Sequence, residues 1–212
     1  MLYCYFIARS QPEIENVSYR TLHEAPLYFV RRQDLIVAVR ELPAGTRSTL
    51  ELMLEYNAVL AAASKHATVL PLRFGTSFRG EAGVVHLLAG RGVELSAALE
   101  RLEGKAEMGL RVSLPEGEDA SRRAAEIAEI SKPLDCWMEA QPNPAGGTLL
   151  ELAHLILRQE AEGYRQRIKP HGLKVTGPHP PFHFLPQFLR LPVQAERRAG
   201  RGRSAAAGLA GY

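Results

Sequence analysis

Residues 107–114 alternate without a break: Met108, Leu110, Val112 and Leu114 fall on one parity, and Glu107, Gly109, Arg111 and Ser113 on the other. Only an extended strand, whose side chains point to opposite faces in turn, sends all four apolar groups to one side. A strand with one apolar face needs a sheet to pair in and a layer to cover that face. The opposite face is expected to be exposed or covered by a partner.

The flanking residues place this strand in a larger unit. Gly104 reads as a helix C-cap and a domain boundary. After the strand, Pro115-Glu116-Gly117 turns the chain. Ala120, Ala124, Ile127 and Ala128 mark a short amphipathic helix that stops before Pro133. Leu134 to Ala140 is a strand, and Pro142, Pro144, Gly146 and Gly147 form a loop. Leu149 to Leu157 has two readings. It either begins one long helix running to Ile168, or is a buried strand ahead of a shorter helix bearing Leu157, Ala161, Tyr164 and Ile168. Periodicity does not decide between them for so short a run, and the strand is preferred. Pro170-His171-Gly172 ends the helix, and Leu173 to Thr176 is a strand. Residues 105–185 then run strand, helix, strand, strand, helix, strand, the ferredoxin-like βαββαβ order.

The first half is also α+β. Leu2 to Ala8 is a strand ended by Gln11-Pro12, with weaker strand candidates at Val17–Leu22 and Leu27–Arg31. LIVAV within Asp34–Arg40 has the form of a buried strand. Pro43-Ala44-Gly45 is a turn, and Ser48 with Glu51 forms a capping-box pattern at a helix start. Leu50, Met53, Leu54, Ala58 and Ala61 follow at helical spacing on one face, as a core-facing stripe would. Val69 to Phe74 is a strand that Pro71 restricts to a sheet edge or an irregular path. Glu81 to Leu102 is helical with a break expected at Gly90 and Gly92.

Composition narrows the class. The 212 residues are 46% hydrophobic and 23% charged, values of a packed domain rather than a disordered chain. The net charge of +3 is concentrated in the tail, where Arg197, Arg198, Arg201 and Arg203 stand against Glu196. The rest is near neutral, so the body does not read as a nucleic-acid binder. Residues from about Ala195 lack periodicity and are expected to be a mobile tail. Cys4 and Cys136 sit in apolar runs and are expected to be buried and reduced. No stretch approaches the ~18 apolar residues of a membrane span, and the N-terminus lacks a signal-peptide core. A cytoplasmic protein is expected.

No nucleophile elbow, HExxH, phosphate loop or dinucleotide fingerprint is present. His179 and His183 are four apart, but Pro178, Pro180 and Pro181 forbid a helix that would bring them to one metal. Glu100, Glu103 and Glu107 read as a solvated helix end. Arg73, a cation inside an apolar run, is expected to pair with an acid or carbonyl, and Gly75 permits a backbone shape closed to other residues. Three prolines make Gly177–Phe182 a rigid arm leading to Phe182, Phe184 and Phe188. Packing on its own sheet is weighed slightly above presentation to a partner.

Three segments resemble the gas vesicle protein F/L family: VLPLRFGT (Val69–Thr76) after the helix LEYNAVLAAASKHA, GKAEMGLRV (Gly104–Val112), and LKVTGPHPPFHF (Leu173–Phe184). His179, Phe182 and Met108 stand where that family carries other aromatic residues. The resemblance implies two α+β domains, the second ferredoxin-like, and a non-enzymatic accessory role in assembling the gas-filled organelle used for buoyancy. It implies the small hydrophobic shell protein and other accessory proteins as partners, with no nucleic acid, lipid membrane, cofactor or metal, and a gas vesicle location.

The resulting expectation is α+β in two domains, residues 1–103 and 104–190, then a basic flexible tail over 191–212. The candidate interaction residues are Arg73, Phe74, Pro178, Pro180, Pro181, Phe182 and Phe184. The alternatives are a small-molecule-binding regulator built on the ferredoxin-like domain and an enzyme using His171, His179 or His183 as a base.

Overall fold

A computed structural model describes residues 1–19, 21 and 26–190. The basic tail and part of the Val17–Leu22 strand candidate lie outside the described residues. The fold is mixed α+β with two antiparallel sheets.

The first sheet is built on β1 (Leu2–Arg9), whose aromatic and branched residues are buried on both faces. β3 (Leu35–Glu41) pairs antiparallel with one side of β1, and β2 (Tyr28–Arg32) pairs outside β3. On the other side, β4 (Val69–Pro71) pairs with Phe6–Ala8 and β5 (Ser77–Phe78) with Leu2–Tyr3. Pro71 thus sits in a three-residue edge strand, where a missing N–H costs no ladder bond. The β1–β3 register slips between Cys4 and Phe6. The extra residue, Tyr5, is a β-bulge, and it puts Tyr3, Tyr5, Phe6 and Ala8 in one core cluster and Leu2, Cys4 and Ile7 in another.

α1 (Pro12–Glu15) is a single turn whose Ile14 plugs the first sheet. α2 (Leu50–Ala63) covers the same face, capped by the Thr49 hydroxyl, which accepts from Leu52 N–H. The expected cap was Ser48, one residue earlier. The buried face of α2 is Leu52, Glu55, Tyr56, Val59, Leu60 and Ala63. The stripe expected to face the core is on the opposite side of the helix. The helix is apolar nearly all round, so spacing alone does not identify the inward face. What selects it is Arg40 on β3, 2% exposed, which forms a 3.0 Å ion pair with Glu55 beneath the helix.

α3 (Glu81–Leu102) runs unbroken through Gly90 and Gly92. Each glycine costs ~1 kcal/mol in a helix interior, but Val84, Leu88, Leu95, Ala98, Leu99 and Leu102 are all buried, at roughly 1.5–3 kcal/mol for each larger side chain. Tertiary burial overrides the local penalty. α3 also has the length and mean hydropathy (1.2) of a membrane span by composition alone, contrary to the expectation that no segment would. In the fold it packs against the first sheet on one side.

The second sheet has the order β7 (Asp135–Pro142), β8 (Thr148–Leu157), β6 (Lys105–Leu114), β9 (Val175–His179), all neighbours antiparallel. The ambiguous run after Gly147 is therefore a strand. α4 (Ala120–Ser131), capped by Asp119, and α5 (Ala161–Ile168) cover the Met108–Leu114 face. The other face of β8, through Ala153 and Leu155, meets α3 and the first sheet in one continuous core, joined by Phe184, Leu185 and Leu189 around the short α6 (Gln187–Arg190). In order, the layers are α2, first sheet, α3, second sheet, and α4 with α5.

Candidate interaction surfaces

The VLPLRFGT segment is the short strand β4 followed by a turn that leads into β5, so the strand expected over Val69–Phe74 ends at Pro71. Between β4 and β5, Thr76 N–H donates to the Arg73 carbonyl at 2.9 Å, and Gly75 has φ +88°. A positive φ at the third residue is what a type II turn demands, which accounts for the glycine. The turn lies opposite the Tyr5 bulge: Leu72 N–H donates to Tyr5 O and Cys4 N–H to Thr76 O, both at 2.9 Å. Tyrosines from two elements hold it. Tyr3 Oη accepts from Gly75 N–H, and Tyr56 Oη donates to Leu72 O. Phe74 is wedged edge-on against the rings of Tyr3 and Tyr56, at 6.2 and 5.5 Å. Arg73 stands exposed at the corner with no ion pair among the described residues, so the expected acid partner is not found.

The proline-rich arm folds inward. Gly177 has φ +107°, and a Cβ there would meet Glu107 O at 2.6 Å, so only glycine fits beside β6. The Gly177–Pro178 peptide is cis. Pro178 and His179 are exposed, whereas Pro180, Pro181 and Phe184 are buried. Phe182 packs against the α2-side cluster, while Phe184 enters the core between the sheets. The arm is a strap across the edge of the first sheet. Of the seven residues singled out in the sequence, Arg73 and Pro178 are exposed, and Phe74 and Phe182 are half-buried.

One carboxylate anchors the strap. Glu107, on the face of β6 away from α4, is buried and accepts from His183 Nδ1 at 2.7 Å and from His183 N–H at 2.9 Å. The His183 ring stacks on Trp137 at 4.1 Å. Glu107 is therefore no part of a solvated helix end, and His183 is a structural partner. Beside this stack is an open cleft of about 280 Å³ lined by Arg101, Asp135, Trp137, His183 and Arg190. Its polar groups are engaged within the fold: Arg101 donates to Phe184 O, Arg190 to His183 O, and Asp135 accepts from Cys136 N–H.

Beneath the second sheet lies a polar cluster that the sequence did not announce. His154 on β8 is fully buried, with Nδ1 2.8 Å from Tyr164 Oη and 3.1 Å from Ser131 Oγ. Ser131 Oγ donates to Ile127 O at 2.7 Å, which leaves Tyr164 Oη as the closer hydrogen-bond partner of His154 Nδ1. Nε2 has no partner among the described residues. Burial pulls the imidazole from 6.5 down to about 4. The cluster is sealed from solvent, so it joins α4, β8 and α5 without an accessible reactive group. Burial likewise pushes the Cys4 thiol up to about 12. Cys136 is exposed on β7, contrary to the expectation of two buried thiols.

Two accessible apolar features remain. On α2, Leu50, Met53 and Leu54 are 61%, 42% and 60% exposed, and Ala58 and Ala61 continue the stripe. On the second sheet, β7 pairs with β8 along its full length and has no strand on its other side among the described residues. Leu134 and Met138 are exposed at that edge. No group of three or more His, Cys, Asp or Glu side chains placed to hold a metal occurs among the described residues.

Comparison with known proteins accords with this architecture. The model of the family described as gas vesicle synthesis protein GvpL/GvpF matches residues 1–152. That span includes the first two resembling segments, and the third lies beyond it. The crystal structure of the gas vesicle protein GvpF from Anabaena sp. PCC7120 superposes with a TM-score of 0.70 at 18% identity, covering 86% of this chain and 97% of that one. The GvpF structure from Microcystis aeruginosa gives a TM-score of 0.72 at 13% identity, covering 86% and 98%. At such identities the likeness is one of fold. Comparison with curated proteins gives no match.

Proposed function

The chain belongs to the gas vesicle synthesis protein GvpL/GvpF family, and from that premise we propose that it is an accessory protein of gas vesicle assembly. It acts in the cytoplasm by binding the small hydrophobic shell protein and other accessory proteins, without catalysis, in building the organelle that gives buoyancy. A shell subunit with a gas-facing apolar surface aggregates before it assembles, and transient pairing with an accessory protein prevents this.

The observation that carries this reading is the open edge of β7. Eight residues, Asp135–Pro142, offer unpaired backbone groups beside exposed Leu134 and Met138, the requirements for adding a partner's extended segment to the sheet. Asp135 and Glu139 favour a basic segment there. The engaged polar groups of the Trp137 cleft argue against a small-molecule regulator. We also read residues 1–103 and 104–190 as two units, the second ferredoxin-like. The strand order β7-β8-β6-β9 supports this, since it puts the first and third strands of the unit at its centre.

The test is co-purification with the shell subunit, other accessory proteins supplied, for the native chain and for Met138→Lys. A charge on a sheet edge blocks strand addition. Capture by the native chain and its loss in the variant are expected. No association at micromolar concentrations overturns the proposal, and undiminished capture by Met138→Lys removes β7 as the contact.

A further inference from the structure

The outward stripe of α2 needs a cover, and the helix itself indicates which. Its exposed residues are graded by size: Leu50, Met53 and Leu54 in the first half, Ala58 and Ala61 in the second, with Asn57 between. Ala62, half-buried, flanks the small end. Set against a second copy running the opposite way, with positions summing to 115, Leu54 of each copy meets Ala61 of the other, since residues seven apart share a helix face. Each leucine fills the space left by the small residue, so the backbones approach closely towards both ends of the stripe.

Charge follows the same two-fold. Glu51 is exposed in the first turn, and Lys65 is exposed just past the last. The antiparallel arrangement brings Glu51 of one copy next to Lys65 of the other, twice, and opposes the helix dipoles. A parallel arrangement sets Leu against Leu and Glu51 against Glu51. A surface that complements itself under a two-fold is what an isologous interface requires.

We propose that α2 is a homodimer interface in which two copies pair antiparallel about an axis near Asn57. A single helix pair buries less than the ~1,200–2,000 Å² of a stable complex, so the dimer is weak and exchangeable. This goes beyond the accessory role and does not depend on it.

Sedimentation equilibrium of the full chain between ~5 and ~500 μM reads the association directly. A monomer–dimer equilibrium is expected. Met53→Glu with Leu54→Glu changes only exposed positions, and unaltered circular dichroism certifies its fold. It should raise the dissociation constant roughly tenfold or more. Glu51→Lys and Lys65→Glu should each weaken dimerisation, and together restore it. A monomer at every concentration overturns the proposal. So does a dimer that survives the Met53→Glu, Leu54→Glu pair. Failure of the charge swap to restore association overturns the antiparallel orientation.

Discussion

Glu107 and His183, 76 residues apart, are joined by two hydrogen bonds from one residue to one carboxylate. Bonds to a charged acceptor are worth roughly 1.5–3 kcal/mol, and His183, its side chain 39% exposed, can turn to water when the carboxylate is removed. Glu107→Ala should therefore lower stability by about 2–4 kcal/mol. The loss should be local in character. Hydrogen exchange should rise across 180–190 while β6 and β8 keep their protection. Unchanged exchange in that segment would show that packing of Phe184 and Leu189 alone holds the strap.

His154 makes stability depend on acidity. Its folded value of about 4 lies below the ordinary 6.5, so between those limits the unfolded chain binds more protons than the native one. Stability falls as pH drops from about 6.5 to about 4, and this group adds no further loss below that. The full effect is about 3 kcal/mol. In His154→Phe the chain should lose less stability over that window than the native protein does. Denaturant midpoints for both proteins at pH 7, 5.5 and 4.5 measure it, and parallel acid limbs would refute it.

Arg40 and Glu55 form an ion pair with both side chains at or below 3% exposure. Removing the Glu55 carboxylate takes an acceptor from both the Arg40 guanidinium and the buried Tyr5 hydroxyl, so Glu55→Leu should cost about 3–5 kcal/mol. Replacing both, Arg40→Met with Glu55→Leu, should recover part of that, because the charge goes and only the Tyr5 hydroxyl is left without its acceptor. Equilibrium unfolding of the two singles and the double closes the cycle. Additive losses would mean that the pair is not coupled.

The same substitution should act with opposite signs at two glycines. Gly90 lies inside α3 with open space around the position a Cβ would take, so Gly90→Ala should stabilise by up to ~1 kcal/mol. Gly75 also has room, but its φ is +88°, and Gly75→Ala should destabilise by roughly 1–2 kcal/mol. Thermal unfolding of both variants decides. A Gly75→Ala protein as stable as the native one would mean that the Arg73–Thr76 turn relaxes freely.

Elements with a one-sided pattern were legible in the sequence. β6 alternates, α4 shows a clean amphipathic period, and Pro71 marks an edge. The features that escaped depend on what lies across the chain. α2 is apolar on both sides, and its inward face carries Glu55, so the stripe that looked like core is the stripe left outside. Gly90 and Gly92 suggested a break, but α3 gains its stability from the sheets it touches. Cys136 looked buried because a strand's own residues do not reveal that it will be the last in its sheet. Glu107 occupies the polar phase of β6, and nothing local marks a histidine 76 residues onward as its cover. Of the candidate site, the VLPLRFGT turn and the proline arm were visible as unusual backbone. Packing of the arm on its own protein was the preferred of two readings, and what no local signal marked is the buried carboxylate of Glu107 that anchors it.

The position of α3 bears on how such a chain can be divided. The boundary proposed at Gly104 would divide two runs of elements, yet the core around Leu95, Leu99 and Leu102 is completed by Ala153, Leu155, Phe184 and Leu189 from beyond it. A gene fragment encoding residues 1–103 alone would translate into a sheet backed by a helix with one flank bare. The two halves are thus not interchangeable modules: recombination that replaced either would have to bring a matching surface for α3.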